Sequence, residues 1–162
     1  MIEVMIKSLP ATFEEFISMP QMDLTIPQNT VAMFLVALNT FIQNKKLGKA
    51  MIDKLKGPVP LNAHDESFLR DRFWDKPYLP MAYFNGATPQ NNYTPTIPLT
   101  LRIFDDDRKN AQEGFIRLLL ETTGADAKRP ITLRKKDDHW YLWEYSSVLM
   151  GVRLPAKENP WG

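Results

Sequence analysis

The sequence predicts an α+β fold, with N-terminal helices packed on a three- to four-stranded antiparallel sheet built from the C-terminal part of the chain. Three observations carry that expectation. Apolar residues recur at i, i+3, i+4 spacing through the first half, as on the buried face of a helix, and at every second position from Ile97 onward, as in a half-buried strand. Helices precede strands instead of alternating with them, the order of an α+β domain. Between the two lies a Pro-rich loop, 75–98, which holds five of the chain's 13 prolines and cannot sustain a regular helix. The 162 residues read as a single domain: a helical part 11–74, the Pro-rich loop 75–98, an antiparallel meander 97–145 and a C-terminal tail 146–162.

The opening MIEVMIK suits a strand or a helix, and both readings stay open. TFEEFIS, 12–18, forms a short helix if Thr12 caps it and Glu15 closes a capping box. In TIPQNTVAMFLVALNTFIQNKK, Pro27 suits the first helical turn, where its missing N–H costs nothing. Val31, Phe34, Leu35, Leu38, Phe41 and Ile42 make one apolar face, and Ala32, Met33, Val36 and Ala37 widen it, so this helix is expected at the centre. A second helix, 46–56, turns Leu47, Ala50, Met51 and Leu55 inward and stops at GPVP. Asn62 caps a third, with Asp65 at its N3 position, Phe68, Leu69 and Phe73 or Trp74 buried, and a Glu66–Arg70 pair one turn apart. In the Pro-rich loop Leu79–Phe84 suits a short edge strand. LTLRIF, FIRLLLE, ITLRKK and HWYLWEY are the strands of the meander; DDDRKNAQEG is a polar turn, and Asp137-Asp138 a tight hairpin without the usual Asn-Gly.

Composition narrows the function. Twenty basic against 19 acidic side chains give a net charge of +1, with no basic stripe to displace counterions from phosphates, so no nucleic-acid partner is expected. The chain has no cysteine, which excludes disulfides, thiolate metal sites and cysteine nucleophiles. The N-terminus lacks a signal-peptide pattern, and the longest apolar run, Val31 to Leu38, is far short of the roughly 20 residues that span a bilayer. A soluble, cytoplasmic protein without a membrane partner is expected.

The segments PQNTVAMFLVALNTFIQN, DKPYLPMAYFNGATPQNNYTP, TTGADAKRPITLR and WYLWEYSSVLMGVRLP resemble a family of small uncharacterised proteins, a domain of unknown function, from Gram-positive gut bacteria. That resemblance covers nearly the whole chain and implies a bacterial cytosolic protein, with no activity, cofactor or catalytic residue to transfer. The helical first half and the meander ending in KKDDHWYLWEYSS are also similar to the cone-shaped NTF2-like or cystatin-like α+β folds. Those folds host isomerases, dehydratases and binding modules alike, so they fix no function.

The densest chemistry lies in DDHWYLWEYSS, 137–147. In a strand, His139, Tyr141, Trp143 and Tyr145 share one face, while Trp140, Leu142 and Glu144 share the other. Trp140 and Leu142 match Ile131 and Leu133 as core residues. The first face suits either a core-facing aromatic ladder or a concave wall with polar tips. As a wall it is too apolar to stand bare, and Tyr78, Tyr83, Phe84 and Tyr93 of the Pro-rich loop are expected to cover it. The reading that follows is a non-enzymatic binding domain. Its ligand-binding residues are Tyr141, Trp143, Tyr145, Tyr83, Phe84, Tyr93 and His139, and its partner is another protein, a second copy in a homodimer, or a small apolar molecule. The alternative is an isomerase- or lyase-like enzyme on an NTF2-like cone, with His139 or His64 paired to a carboxylate such as Asp71 or Glu144.

No cofactor and no metal is expected. The helix bearing His64 lacks H-E-x-x-H spacing. The Asp105-Asp106-Asp107 run places Asn110 and Ile116 where a calcium loop needs glycine and glutamate. Arg129, Arg134, Arg72, Arg102 and Arg117 suit either an anion site or cross-strand pairing with Glu121, Glu144 and Asp126. Trp161, near the C-terminus, is expected to dock on its own domain or to meet a second subunit.

Overall fold

The computed structural model describes residues 1–106 and 112–161. Its elements are β1 (Ile2–Ile6), α1 (Phe13–Ile17), α2 (Pro27–Gln43), α3 (Lys45–Lys56), α4 (Ala63–Phe73), β2 (Leu99–Asp105), β3 (Phe115–Leu120), β4 (Arg129–Lys136) and β5 (His139–Glu144). The architecture is α+β. The five strands form one curled antiparallel sheet in the order β1-β2-β3-β4-β5. Four of them come from the C-terminal part. The fifth, β1, was not assigned by periodicity, because a five-residue run offers only three alternating positions, Ile2, Val4 and Ile6, and the first of these stays exposed. Val4 and Ile6 reach the core opposite Leu101 and Leu99. Among the described residues no helix is long and apolar enough to cross a membrane.

The core forms around α2, in which every residue from Thr30 to Leu38 is buried. A helix apolar on all sides must be enclosed on all sides; here α3, the sheet and the turn at Pro20–Met22 enclose it. Its one deeply buried hydroxyl, on Thr30, donates to the backbone carbonyl of Trp140 at 2.7 Å, so burial costs no unmade hydrogen bond. Trp140 N–H in turn donates to the Leu24 carbonyl at 2.8 Å. Together the two contacts fasten the outer edge of β5 to the N-terminal part of the chain.

Asn44 alone separates α2 from α3 and caps the latter, accepting from Leu47 N–H at 3.1 Å. The two helices pack backbone against side chain: a Cβ added at Gly48 would stand 2.2 Å from Phe41 Cα, so no larger residue fits there. Inward on α3 are Met51, Ile52 and Leu55; Leu47 is half-buried and Ala50 is exposed, one position away from the expected face. The predicted caps of α1 and α4 are present, but the box expected on α1 does not close, because the Glu15 carboxylate accepts from Ala11 N–H at 2.8 Å instead of Thr12 N–H. Thr12 accepts from Glu15 N–H, and Asn62 and Asp65 form a reciprocal box. On α4, Leu69 and Phe73 are the buried pair; Phe68 is half-buried under Arg72, and Trp74 is exposed. Arg70 donates to Ser67, in place of the expected pairing with Glu66.

The Pro-rich loop is ordered, and it contains no edge strand over Leu79–Phe84. Met81–Tyr83 is a 3-10 turn, and only Phe84 bridges the sheet, at Leu101. The loop's tyrosines face the C-terminal tail. Tyr83 Oη donates to the Val148 carbonyl, Tyr93 Oη to the Arg153 carbonyl at 2.7 Å, and Tyr78 stacks on Tyr93 at 5.3 Å. The polar turn expected over 105–114 lies partly outside the described residues, as do Asp107 and Asn110 of the calcium comparison.

Candidate ligand-binding groove

The groove is built on the β4–β5 hairpin. Asp137 and Asp138 both take left-handed backbone, with φ of 50° and 64°, the geometry of a two-residue hairpin turn. That turn sets the register: Lys136 opposite His139, Lys135 opposite Trp140, Arg134 opposite Tyr141. Leu142 then meets Leu133 in the core. One step further the register shifts, and Thr132 faces Glu144, so Trp143 is the extra residue of a β-bulge.

The bulge corrects the expected wall. Alternation alone puts Tyr141, Trp143 and Tyr145 on one face; an inserted residue reverses the phase beyond it. Tyr145 therefore turns inward and is buried against the Phe34 ring at 4.9 Å. Tyr141 remains half-buried, and Trp143 is 48% exposed. Leu142 is in the core as expected, with Trp140 half-buried against it. Burial also explains the Tyr145 phenol, whose pKa is raised chiefly by desolvation.

Tyr141, Leu142 and Trp143 line a half-open groove of about 480 Å3, together with Arg134, Lys135 and Lys136 of β4 and with Lys56, Pro58 and Val59 at the end of α3. Gly57 joins the two walls. It ends α3 at φ 67°, ψ −123°, and a Cβ there would lie 2.7 Å from Tyr141 Cδ1. The opposite flank is a cluster in which the Arg134 guanidinium sits 4.6 Å from the Trp143 ring and 5.3 Å from Phe115, while the two rings meet edge-on at 5.7 Å. Arg134 thus braces an exposed indole that would otherwise be free to change rotamer.

The wall facing the hairpin is formed by Lys56, Pro58 and Val59, not by the Pro-rich loop. Tyr83 and Tyr93 are buried against the tail and Phe84 against the sheet at Leu101, and none of the three is among the lining residues. His139 is exposed at the hairpin tip, its Nδ1 2.9 Å from the Asp137 carbonyl oxygen and its ring 6.3 Å from Tyr141. Its nearest hydrogen-bonding group is main chain, not the carboxylates of Asp137 and Asp138. Of the seven expected binding residues, the groove brings together Tyr141 and Trp143. Trp161 is fully exposed and docked on nothing within its own domain.

A smaller hollow of about 280 Å3 adjoins the groove, sharing Lys56 and Trp143 and adding His64, Asp65, Phe68, Glu144, Tyr145 and Ser146. It holds the histidine–carboxylate combination that an enzyme would use, but both carboxylates already have structural partners. Asp65 closes the α4 capping box. Glu144 accepts from Ser146 Oγ at 2.6 Å and Ser146 N–H at 2.8 Å. Those two hydrogen bonds hold its carboxyl below the ordinary value, against a smaller opposing effect of burial, which makes it a weaker base. Asp71 is elsewhere, in a hollow with Arg70, Phe73 and Trp74. Among the described residues no three His, Asp or Glu side chains converge to hold a metal.

The arginines do not gather. Arg102 pairs with Glu121 at 2.8 Å, Arg117 with Asp106 at 2.8 Å, and Arg153 with Asp126. Arg129 donates to the carbonyls of Met150 and Gly151. The sequence reading missed Lys56, Pro58, Val59, Lys135 and Lys136 as groove residues and placed Arg134 with the wrong neighbours. The signal for three of them was present: a two-residue turn at Asp137-Asp138 fixes Arg134 beside Tyr141, Lys135 beside Trp140 and Lys136 beside His139 by counting alone.

Fold and site together define a small α+β domain with a curled antiparallel sheet and a cation-rimmed aromatic groove at one end of it. The chain belongs to the family described as Domain of unknown function (DUF6935), whose model matches residues 8–156. No curated protein and no solved structure matches the chain.

Proposed function

We propose that the protein is a non-enzymatic binding domain whose ligand lies in the groove against Tyr141 and Trp143. One observation carries this reading. An indole and a phenol on adjacent outward positions are left partly exposed in a concave site of about 480 Å3, yet both are held in place, Tyr141 by the Gly57 backbone and Trp143 by Arg134. Concave, mostly apolar sites of roughly 300–1,000 Å3 with a few polar groups are the usual form of a small-molecule site. A rigid aromatic surface also lowers the ordering cost of binding. The test is chemical-shift mapping with a library of neutral and charged aromatic fragments. Hits should shift the Trp143 indole and Tyr141 resonances, and Tyr141→Ala with Trp143→Ala should weaken them at least tenfold. A library that leaves both residues unmoved sinks the proposal. Light-scattering mass over a concentration series separates the small-ligand reading from a homodimer through the same face, which would raise the mass.

The second reading, an enzyme on an NTF2-like cone, has one observation in its favour: His64 and Glu144 line the same hollow. It requires that His64→Gln abolish a turnover that Tyr141→Ala leaves measurable.

A further inference from the structure

Resting on the binding reading above, we infer that the ligand of this groove is a small organic anion, a flat apolar body carrying a carboxylate or a phosphate. Four of the nine lining residues, Lys56, Arg134, Lys135 and Lys136, are cationic, and none is acidic. In a chain of net charge +1 such a group is a local concentration of charge and not a reflection of composition. Its members are also poorly neutralised. Among the described residues neither Arg134 nor Lys56 forms an ion pair, though Lys56 lies within electrostatic reach of Glu144, and both rest on rings, Arg134 on Trp143 and Phe115, Lys56 on Tyr145 at 5.6 Å. Lys136 has only the exposed Asp137, at 3.7 Å; Lys135 stands opposite Trp140, its Nζ 5.7 Å from that ring and 3.8 Å from Asp138, and adds its charge from the other face of the hairpin. Arg134 contrasts with Arg102, Arg117 and Arg153, each paired to a carboxylate, and resembles Arg72, which rests on Phe68 but lines no such groove.

A guanidinium stacked on aromatic rings uses its faces and leaves its N–H edges to fork an oxyanion. Among the described residues that edge has no hydrogen-bond acceptor. The stacking also fixes the fork beforehand, so little order is lost when an anion arrives. A neutral apolar guest would gain the same ring contacts but would leave the Arg134 guanidinium without a counter-charge. Size decides between a small anion and a polymer: the groove is small-molecule sized, and a net charge of +1 lacks the basic excess of a nucleic-acid binder.

The experiment is a titration, followed by NMR, with three naphthalenes of nearly equal body: 2-naphthoate, 2-naphthyl phosphate and the neutral 2-naphthamide. At low salt at least one anion should bind roughly tenfold or more tightly than the amide, since a charge-assisted hydrogen bond to a fixed guanidinium is worth at least that in affinity. Which anion leads tells carboxylate from phosphate. The margin should shrink as sodium chloride rises from roughly 0.05 to 0.5 M. Arg134→Gln should narrow it, and Arg134→Lys should restore part of it. Lys56→Gln, on a different element, should narrow it independently, so a loss of folding in one variant leaves the other to decide; circular dichroism melts report folding for each. Equal binding of amide and anions at the Trp143 and Tyr141 resonances overturns the charge inference and leaves the binding reading standing. No shift at these residues with any of the three overturns both. Binding of an acidic peptide in preference to all three overturns the small-molecule assignment.

Discussion

Gly57 is the residue on which groove and fold meet. Its φ of 67° with ψ of −123° is open to glycine and strained for any side chain, and Tyr141 occupies the space a Cβ would need. Gly57→Ala should therefore lower stability by about 1–3 kcal/mol, seen as a reduced urea midpoint at unchanged slope, and should move the Tyr141 ring resonances. Gly57→Asn, better suited to positive φ, should recover little, because the ring clash remains. In the sequence, Gly57-Pro58 was legible as a helix stop. That the missing side chain also makes room for an aromatic ring 84 positions later was not, since local pattern carries no record of which distant segment arrives. Tyr145 shows the complementary limit: its type was legible as aromatic wall, and a single inserted residue reversed its direction.

At the scale of elements, the β4–β5 hairpin sets the geometry of the site, and its turn is chemically suboptimal. Two consecutive aspartates in left-handed backbone carry a steric cost that Asn-Gly avoids. Asp137→Asn with Asp138→Gly should raise stability by about 1 kcal/mol, measured as a higher denaturant midpoint. The ion pairs lost, at 3.8 and 3.7 Å and on the surface, offset little of that gain. Helices and caps were the most legible elements, because Thr12, Pro27 and Asn62 act within a few residues of themselves. The Pro-rich segment was legible as a loop through its prolines, but its destination was not. Tyr83 and Tyr93 seek backbone carbonyls 65 and 60 positions away, and any unpaired carbonyl satisfies a phenol equally well.

For the whole molecule, the buried phenols make stability depend on alkaline pH. Burial pushes the Tyr78 hydroxyl up to about 12 and raises Tyr83, Tyr93 and Tyr145 as well. In the unfolded chain these groups ionise near pH 10. The folded state therefore keeps protons that the unfolded state releases. The stability these groups contribute is complete below pH 10 and is lost as the pH climbs through their raised folded values. The loss is up to about 1.4 kcal/mol per pH unit for each phenol involved. Tyrosinate absorbance should rise together with loss of the circular dichroism signal, and Tyr145→Phe should flatten the dependence. A rise in tyrosinate absorbance complete by pH 10.5 with the fold intact would contradict the burial of these rings.

The first strand of the sheet has a further consequence in time. Residues 2–6 find their partner only at 99–103, and Thr30 waits for Trp140. During synthesis at about 5–20 residues per second, the nascent β1 is without its neighbour for roughly 5–20 s. Over that interval the apolar run IEVMI is guarded only by Glu3 within it and Lys7 beside it, charges of the kind that keep an idle strand from pairing with another chain. Replacing them would leave the finished fold almost unchanged and endanger the chain on its way there.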